Sequence, residues 1–207
     1  MNIGLLPISA KPYHSGHHAL VEMAAGANEE VLLYVSVSDR KRKGELPISG
    51  ADMKQIWEEE IEKILPGNVT PVYGGSPVGH VFDVLKGAEE KLVAGDYPGH
   101  VYTVYSDPTD TAQNYSDAYR QKYFPTLEAK GFVKFAAEED PASMTRGEGT
   151  PDVSGTAMRQ SLQTCDIETF KTGMPDGINV ENVFNILCNK NMGEAILRSL
   201  IQSIAKD

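Results

Sequence analysis

Short apolar runs recur along this chain, each followed by a longer segment whose apolar residues return every three or four positions. That alternation constrains the fold more than any other feature. Parallel strands cannot be joined by a tight turn, so each needs a helical crossover to carry the chain back across the sheet. Asn2 to Ile8, Val31 to Val37, Val69 to Tyr73, His100 to Tyr105 and Phe132 to Ala136 read as strands. Between them, Gly16 to Ala27 reads as a helix with Leu20, Val21 and Ala24 on one face. Met53 to Leu65 follows, opened by a Ser49/Asp52 capping box and stopped by Pro66-Gly67, then Val78 to Val93, and Ala112 to Lys130 with a break before Pro125. From Ser154 the pattern is helical: Gly155 to Gln163, Ile167 to Lys171, Val180 to Asn189 and Gly193 to Ala205. The class is α/β, with about five parallel strands and a C-terminal helical extension.

Composition narrows the functions this fold can serve. With 41% hydrophobic residues over 207 positions, the chain can bury a full core without disulfides or a structural metal. A net charge of −10 sets the protein's own field against a nucleic-acid backbone, so nucleic acid is not an expected partner. Cys165 and Cys188 lack companions at metal-ligand spacing and are expected as separate, buried, reduced thiols. No run reaches about 18 consecutive apolar residues, and the start lacks a basic segment before its short apolar run. The expectation is a cytoplasmic protein with no membrane partner.

In open α/β sheets ligands bind beyond the carboxyl ends of the strands. That rule points to the loops Ser9 to Gly16, Ser38 to Ser49 and Ser106 to Thr111. The polar loop Glu138 to Val153 is long enough to be either functional or disordered. Three of the five histidines, His14, His17 and His18, cluster where the first strand hands over to the first helix. A helix N-terminus offers unpaired N–H groups and partial positive charge, so imidazoles placed there suit an anion such as a phosphate. Gly16 allows close backbone approach. If the helix starts at Ser15 or Gly16, His14 and His17 converge and His18 points elsewhere. A metal reading of the pair lacks a third ligand, and a serine-hydrolase reading lacks a G-x-S-x-G elbow. Near the other end, Ser154 and Thr156 are capping residues, Gly155 opens the backbone, and Arg159 lies one turn on. Taken singly this is an ordinary capped helix; in company with the histidines it is a second phosphate grip.

His14-Ser15-Gly16-His17, preceded by Lys11, resembles the HxGH signature of the nucleotidylyltransferase superfamily, which includes cytidylyltransferases and adenylyltransferases. Ser154-Gly155-Thr156-Ala157-Met158-Arg159 resembles its second signature, SGTxxR, in the expected order along the chain. Segments 48–65 and 174–187 are similar to small phage-encoded members. Ile8 and Ala10 depart from the family's usual glycine and aromatic in the first loop. The resemblance implies a Rossmann-like doubly wound sheet, with residues 1–165 forming the nucleotidylyltransferase domain and 166–207 a helical extension of it. It also implies transfer of a nucleoside monophosphate from CTP or ATP to a small phosphorylated acceptor, with release of pyrophosphate.

On this resemblance His14, His17, Lys11 and Arg159 would be catalytic. Ser9, Ala10, Gly16, Ser154, Gly155, Thr156, Asp107 and Thr109 would bind the nucleotide, and Arg40, Lys41 and Arg42 the acceptor. Mg²⁺ would be bound mainly by the nucleotide's own oxygens, with no carboxylate cage. P-loop and dinucleotide-binding signatures are missing: no G-x-x-x-x-G-K-[ST] occurs, and no G-x-G-x-x-G follows the first strand. Two other classes stay open. One is a nucleotide-binding module that transfers nothing. The other is an interaction protein, a homo-oligomer for instance, using the stripe Ala195, Ile196, Leu200, Ile201 and Ile204 as its face.

Overall fold

The computed structural model describes residues 1–188; the expected helix Gly193 to Ala205 and its apolar stripe lie outside them. Five parallel strands form one sheet in the order β3-β2-β1-β4-β5. They are β1 (Asn2–Ile8), β2 (Glu30–Val35), β3 (Val69–Tyr73), β4 (Val101–Val104) and β5 (Val133–Phe135). This is a Rossmann-like doubly wound fold. Strand order reverses at the β1/β4 pair, where Asn2 to Leu5 register against Val101 to Val104. Pro71, which lacks a ladder donor, is tolerated because β3 is an edge strand.

Alternation along β1 divides the core in two. Leu6 and Ile8 face a layer built on α1 (Ser15–Ala27), α2 (Gly50–Ile56), α9 (Gly155–Gln163), α10 (Ile167–Thr172) and the helix over 180–188. Ile3 and Leu5 face the opposite layer, with α3 (Pro77–Ala94), α5 (Asp117–Tyr123) and α6 (Pro125–Ala129). Three further short helices are α4 (Pro108–Asn114), α7 (Ala136–Glu139) and α8 (Pro141–Met144). Phe170, Val183, Phe184 and Leu187 share a core with Leu6 and Trp57, so the described part of the C-terminal extension covers the sheet face.

Several elements differ from the sequence expectation. The helix expected over 112–130 is three short helices, because Asp107 caps a new start at Pro108, and Pro125 opens α6 where its missing N–H costs nothing. The helix expected over 53–65 widens into a π-helical turn at Trp57–Ile61 and tightens at Glu62–Ile64. The loop expected over 138–153 contains α8, part of α7 and a turn closed by the Gly147 N–H donating to the Thr150 carbonyl at 2.8 Å. Cys165 and Cys188 are joined in a disulfide rather than standing as two separate thiols. After α9 the chain reverses through Cys165, whose φ of 53° carries it out of the helix line and against Cys188. No helix among the described residues is long and apolar enough to cross a membrane.

Candidate functional site

A cavity of about 560 Å³ opens at the carboxyl ends of β1 and β4, where the strand order reverses. Its walls come from the loops after β1, β2 and β4, the segment 144–153, and helices α1 and α9. Of the residues singled out in the sequence, Ser9, Ala10, Lys11, His14, Gly16, His17, Arg40, Asp107, Thr109, Gly155 and Arg159 line it.

His14 is the N-cap of α1, and the helix begins at Ser15. That start places the His14 and His17 rings 3.8 Å apart between centroids, tilted by 31°. His18 leaves the site, its Nδ1 lying 2.9 Å from the Tyr13 hydroxyl. Gly16 serves His14 directly, since a Cβ there would sit 3.1 Å from that ring. Tyr13 backs the pair, parallel to His17 at 5.7 Å and edge-on to Trp57 at 4.9 Å. Burial first, then the charges of Arg146 and Arg159, push His14 down to about 4. Burial, then His14 and Arg146, hold His17 well below the ordinary imidazole range. Both rings are therefore neutral at pH 7, and each has a buried Nδ1 without a partner among the described residues. Buried polar atoms left open are uncommon, and here they flank a cavity.

Lys11 is buried, with its Nζ donating to Ser36 Oγ at 2.9 Å and Ser38 Oγ at 3.3 Å. Burial and the charge of Arg40 lower its pKa, against the opposing pull of Asp39. Ala10 beside it occupies the left-handed region at φ 46°. Arg159 joins the two ends of the chain. Its Nη1 donates to the Lys11 carbonyl at 2.9 Å, across a separation of 148 residues, and its Nη2 donates to Thr156 Oγ1 at 3.0 Å. Gly155 lies between the segments: a Cβ there would be 3.0 Å from Arg159 Nη1 and 3.9 Å from His14 Nε2.

Other expected residues fall outside the cavity lining. Ser154 spends its hydroxyl on the Ala157 N–H as the α9 cap, and Thr156 is occupied by Arg159. Lys41 is exposed and pairs with Asp39 at 2.8 Å, and Arg42 is exposed on the same loop. Asp107, which does line the cavity, also caps α4 by accepting from the Asp110 N–H. Asp110 lines the cavity too, and burial followed by the charge of Asp107 raises its pKa.

Two residues were not legible as site residues. Arg146 lines the cavity from the 144–153 segment and has no carboxylate partner among the described residues. The length and glycines of that loop were its only signal. Glu45 accepts from Arg40 Nε at 2.9 Å and lies 3.0 Å from Arg159 Nε; as the lone acid after four consecutive cations it was visible but unassigned.

Among the described residues no group of three or more His, Cys, Asp or Glu is placed to hold a metal ion. Asp107 and Asp110 alone do not make a cage, and the remaining polar lining is cationic or neutral. The cavity thus suits a ligand that brings negative charge. No family model matches the chain, and no curated protein matches it in sequence. What the fold and the site define is a Rossmann-like α/β protein with a cationic cleft at its topological switch point.

Proposed function

We propose that the protein is a nucleotidylyltransferase, moving a nucleoside monophosphate from CTP or ATP to a small phosphorylated acceptor. The observation that carries this reading is the tie between Arg159 and the Lys11 carbonyl, which sets the SGTxxR-like segment against the HxGH-like segment in one cavity. Alone, the second segment is an ordinary helix start capped by Ser154, and the first a helix start with no side-chain cap. Their meeting at the switch point, with two neutral histidines and three lining cations besides Lys11, supports a polyphosphate ligand.

In the proposed reaction an acceptor phosphate oxygen attacks the α-phosphorus, and the bond to the α,β-bridging oxygen breaks. The electron pair leaves with pyrophosphate. A phosphate oxygen is already nucleophilic near neutral pH, so positioning and charge stabilisation suffice without a catalytic base. His14 and His17 would each donate the one N–H of a neutral ring to oxygens around the α-phosphate. Lys11 would neutralise charge on the transferred group, while Arg159 and the Gly155 amide would hold the departing pyrophosphate. Mg²⁺ is assigned to no residue of this chain and would travel on the nucleotide's own oxygens.

The test is pyrophosphate release from each common NTP, with sugar phosphates, polyol phosphates, mononucleotides and phosphopantetheine as acceptors. Release with one NTP and one acceptor class supports the proposal. NTP binding without release on any acceptor would favour a binding module, the reading that shares this cavity but not the chemistry.

A further inference from the structure

We infer that Glu45 is the positioning residue of a two-arginine phosphate clamp, holding Arg40 and Arg159 side by side at the cavity wall. The inference rests on the proposed transfer reaction and deepens it, because it assigns a task to an acidic side chain in a site for anions. One oxygen, Glu45 Oε2, lies 2.9 Å from Arg40 Nε, 2.9 Å from Arg40 Nη2 and 3.0 Å from Arg159 Nε. Two guanidiniums this close repel, and burial together with the charge of Arg40 lowers the pKa of Arg159. A shared carboxylate offsets that repulsion.

The atoms Glu45 uses are informative. On Arg159 it lies against the Nε edge as an ion pair at 3.0 Å, without an aligned hydrogen bond, while the Lys11 carbonyl and Thr156 Oγ1 accept from Nη1 and Nη2. A guanidinium has five N–H donors, so one N–H on each terminal nitrogen keeps no partner among the described residues. Free guanidinium N–H groups of this kind suit phosphate oxygens. Glu45 therefore fixes the back of the guanidinium and leaves its front for the ligand. Burial works against the Glu45 carboxylate, but the hydrogen bond from Arg40 and the charges of Arg159, Arg40 and Arg42 hold its pKa below the ordinary range. It remains charged throughout the working range.

The loop does not depend on Glu45 for its shape. Its neck is closed by Arg40 and Ile48, which exchange backbone hydrogen bonds at 2.8 and 3.0 Å. Ile48 is buried, and the Gly50 N–H donates to Asp39 Oδ1 at 2.9 Å. Gly50 admits no side chain, since a Cβ there would lie 1.8 Å from the Val37 carbonyl oxygen. Substitutions at Glu45 should leave this neck intact.

The experiment compares wild type, Glu45→Ala and Glu45→Gln in Tm without ligand, in Kd for the preferred NTP with Mg²⁺, and in KM and kcat. The clamp predicts that Glu45→Ala raises Kd and KM roughly tenfold with a smaller loss in kcat. Glu45→Gln, which keeps the shape and one acceptor but not the charge, should hold wild-type Tm and still bind weakly. Tighter NTP binding by Glu45→Ala would mean that Glu45 competes for the phosphate seat, and would overturn the inference. Unchanged Kd would overturn it as well, as would an affinity loss that appears only where Tm falls. If wild type binds no NTP at all, the proposed function fails together with the clamp; if wild type binds and Glu45→Ala binds equally, only the clamp fails.

Discussion

Arg159→Ala is the perturbation whose cost follows most directly from the geometry. The side chain is 8% exposed and makes three contacts, to the Lys11 carbonyl at 2.9 Å, Thr156 Oγ1 at 3.0 Å and Glu45 Oε2 at 3.0 Å. They do not weigh equally. The Thr156 hydroxyl can turn to water and Glu45 keeps Arg40, but the Lys11 carbonyl loses a donor in a buried setting. A buried carbonyl left unsatisfied costs about 1–3 kcal/mol, and a hydrogen bond to a charged group contributes about 1.5–3 kcal/mol. Because the contacts form one network they are not summed, and a net loss of about 3 kcal/mol is expected. For a chain near 200 residues each kcal/mol moves Tm by roughly 2–4 °C, so the drop should be about 6–12 °C. Arg159→Lys, with one compact ammonium in place of a fork, should recover only part of it. Thermal unfolding followed by circular dichroism measures both variants. A Tm for Arg159→Ala within about 1 °C of wild type would refute the reasoning, since the two signature segments would then not be tied through this side chain.

Three further outcomes follow. Because burial pushes His14 from its ordinary 6.5 down to about 4, the unfolded chain binds more protons than the folded one between those values. Stability should therefore fall as pH drops through that window, with a limiting slope of about 1.4 kcal/mol per pH unit for one group, and Tm against pH should flatten in His14→Gln. Arg146→Ala should leave Tm within about 1 °C of wild type, as an exposed side chain with no ion-pair partner among the described residues, while raising the Kd for NTP roughly tenfold in calorimetric titration. In pyrophosphate-release assays, His17→Ala should lower kcat by roughly 10²–10³, the usual effect of losing one preorganised donor, and unchanged turnover would remove His17 from the chemistry.

Much of the architecture was legible because it rests on local periodicity. The apolar run Asn2 to Ile8 read as a strand, and the structure buries it on both faces; the Ser15 start of α1 decided that His14 and His17 would meet while His18 would not. The two signature segments were each visible in sequence. Their contact is a product of the sheet order, which brings β1 and the start of α9 together across 148 residues. What escaped was set by tertiary packing. The π-helical turn at Trp57 follows no local rule that distinguishes it from the helix before it. Lys41 looked like part of a cationic cluster, but only the fold shows that it turns to Asp39 while Arg40 turns inward to Glu45. Ser154 and Thr156 carried the right hydroxyls, which the helix cap and Arg159 take up. The pairing of Cys165 with Cys188 depends on the reversal after α9, a backbone event with no sequence signal beyond the helix end.

The central claim is that the cavity at the switch point binds a nucleoside triphosphate through its histidine pair. A thermal-shift comparison of wild type with His17→Ala, across the four common NTPs with Mg²⁺, tests it most directly. Ligand at about 100 times its Kd stabilises by about 2.7 kcal/mol, which for this chain is a rise of roughly 5–11 °C. The account predicts that rise with CTP or ATP on wild type and its loss in His17→Ala. An equal rise in both proteins would place the nucleotide elsewhere, and no rise with any NTP would contradict the claim.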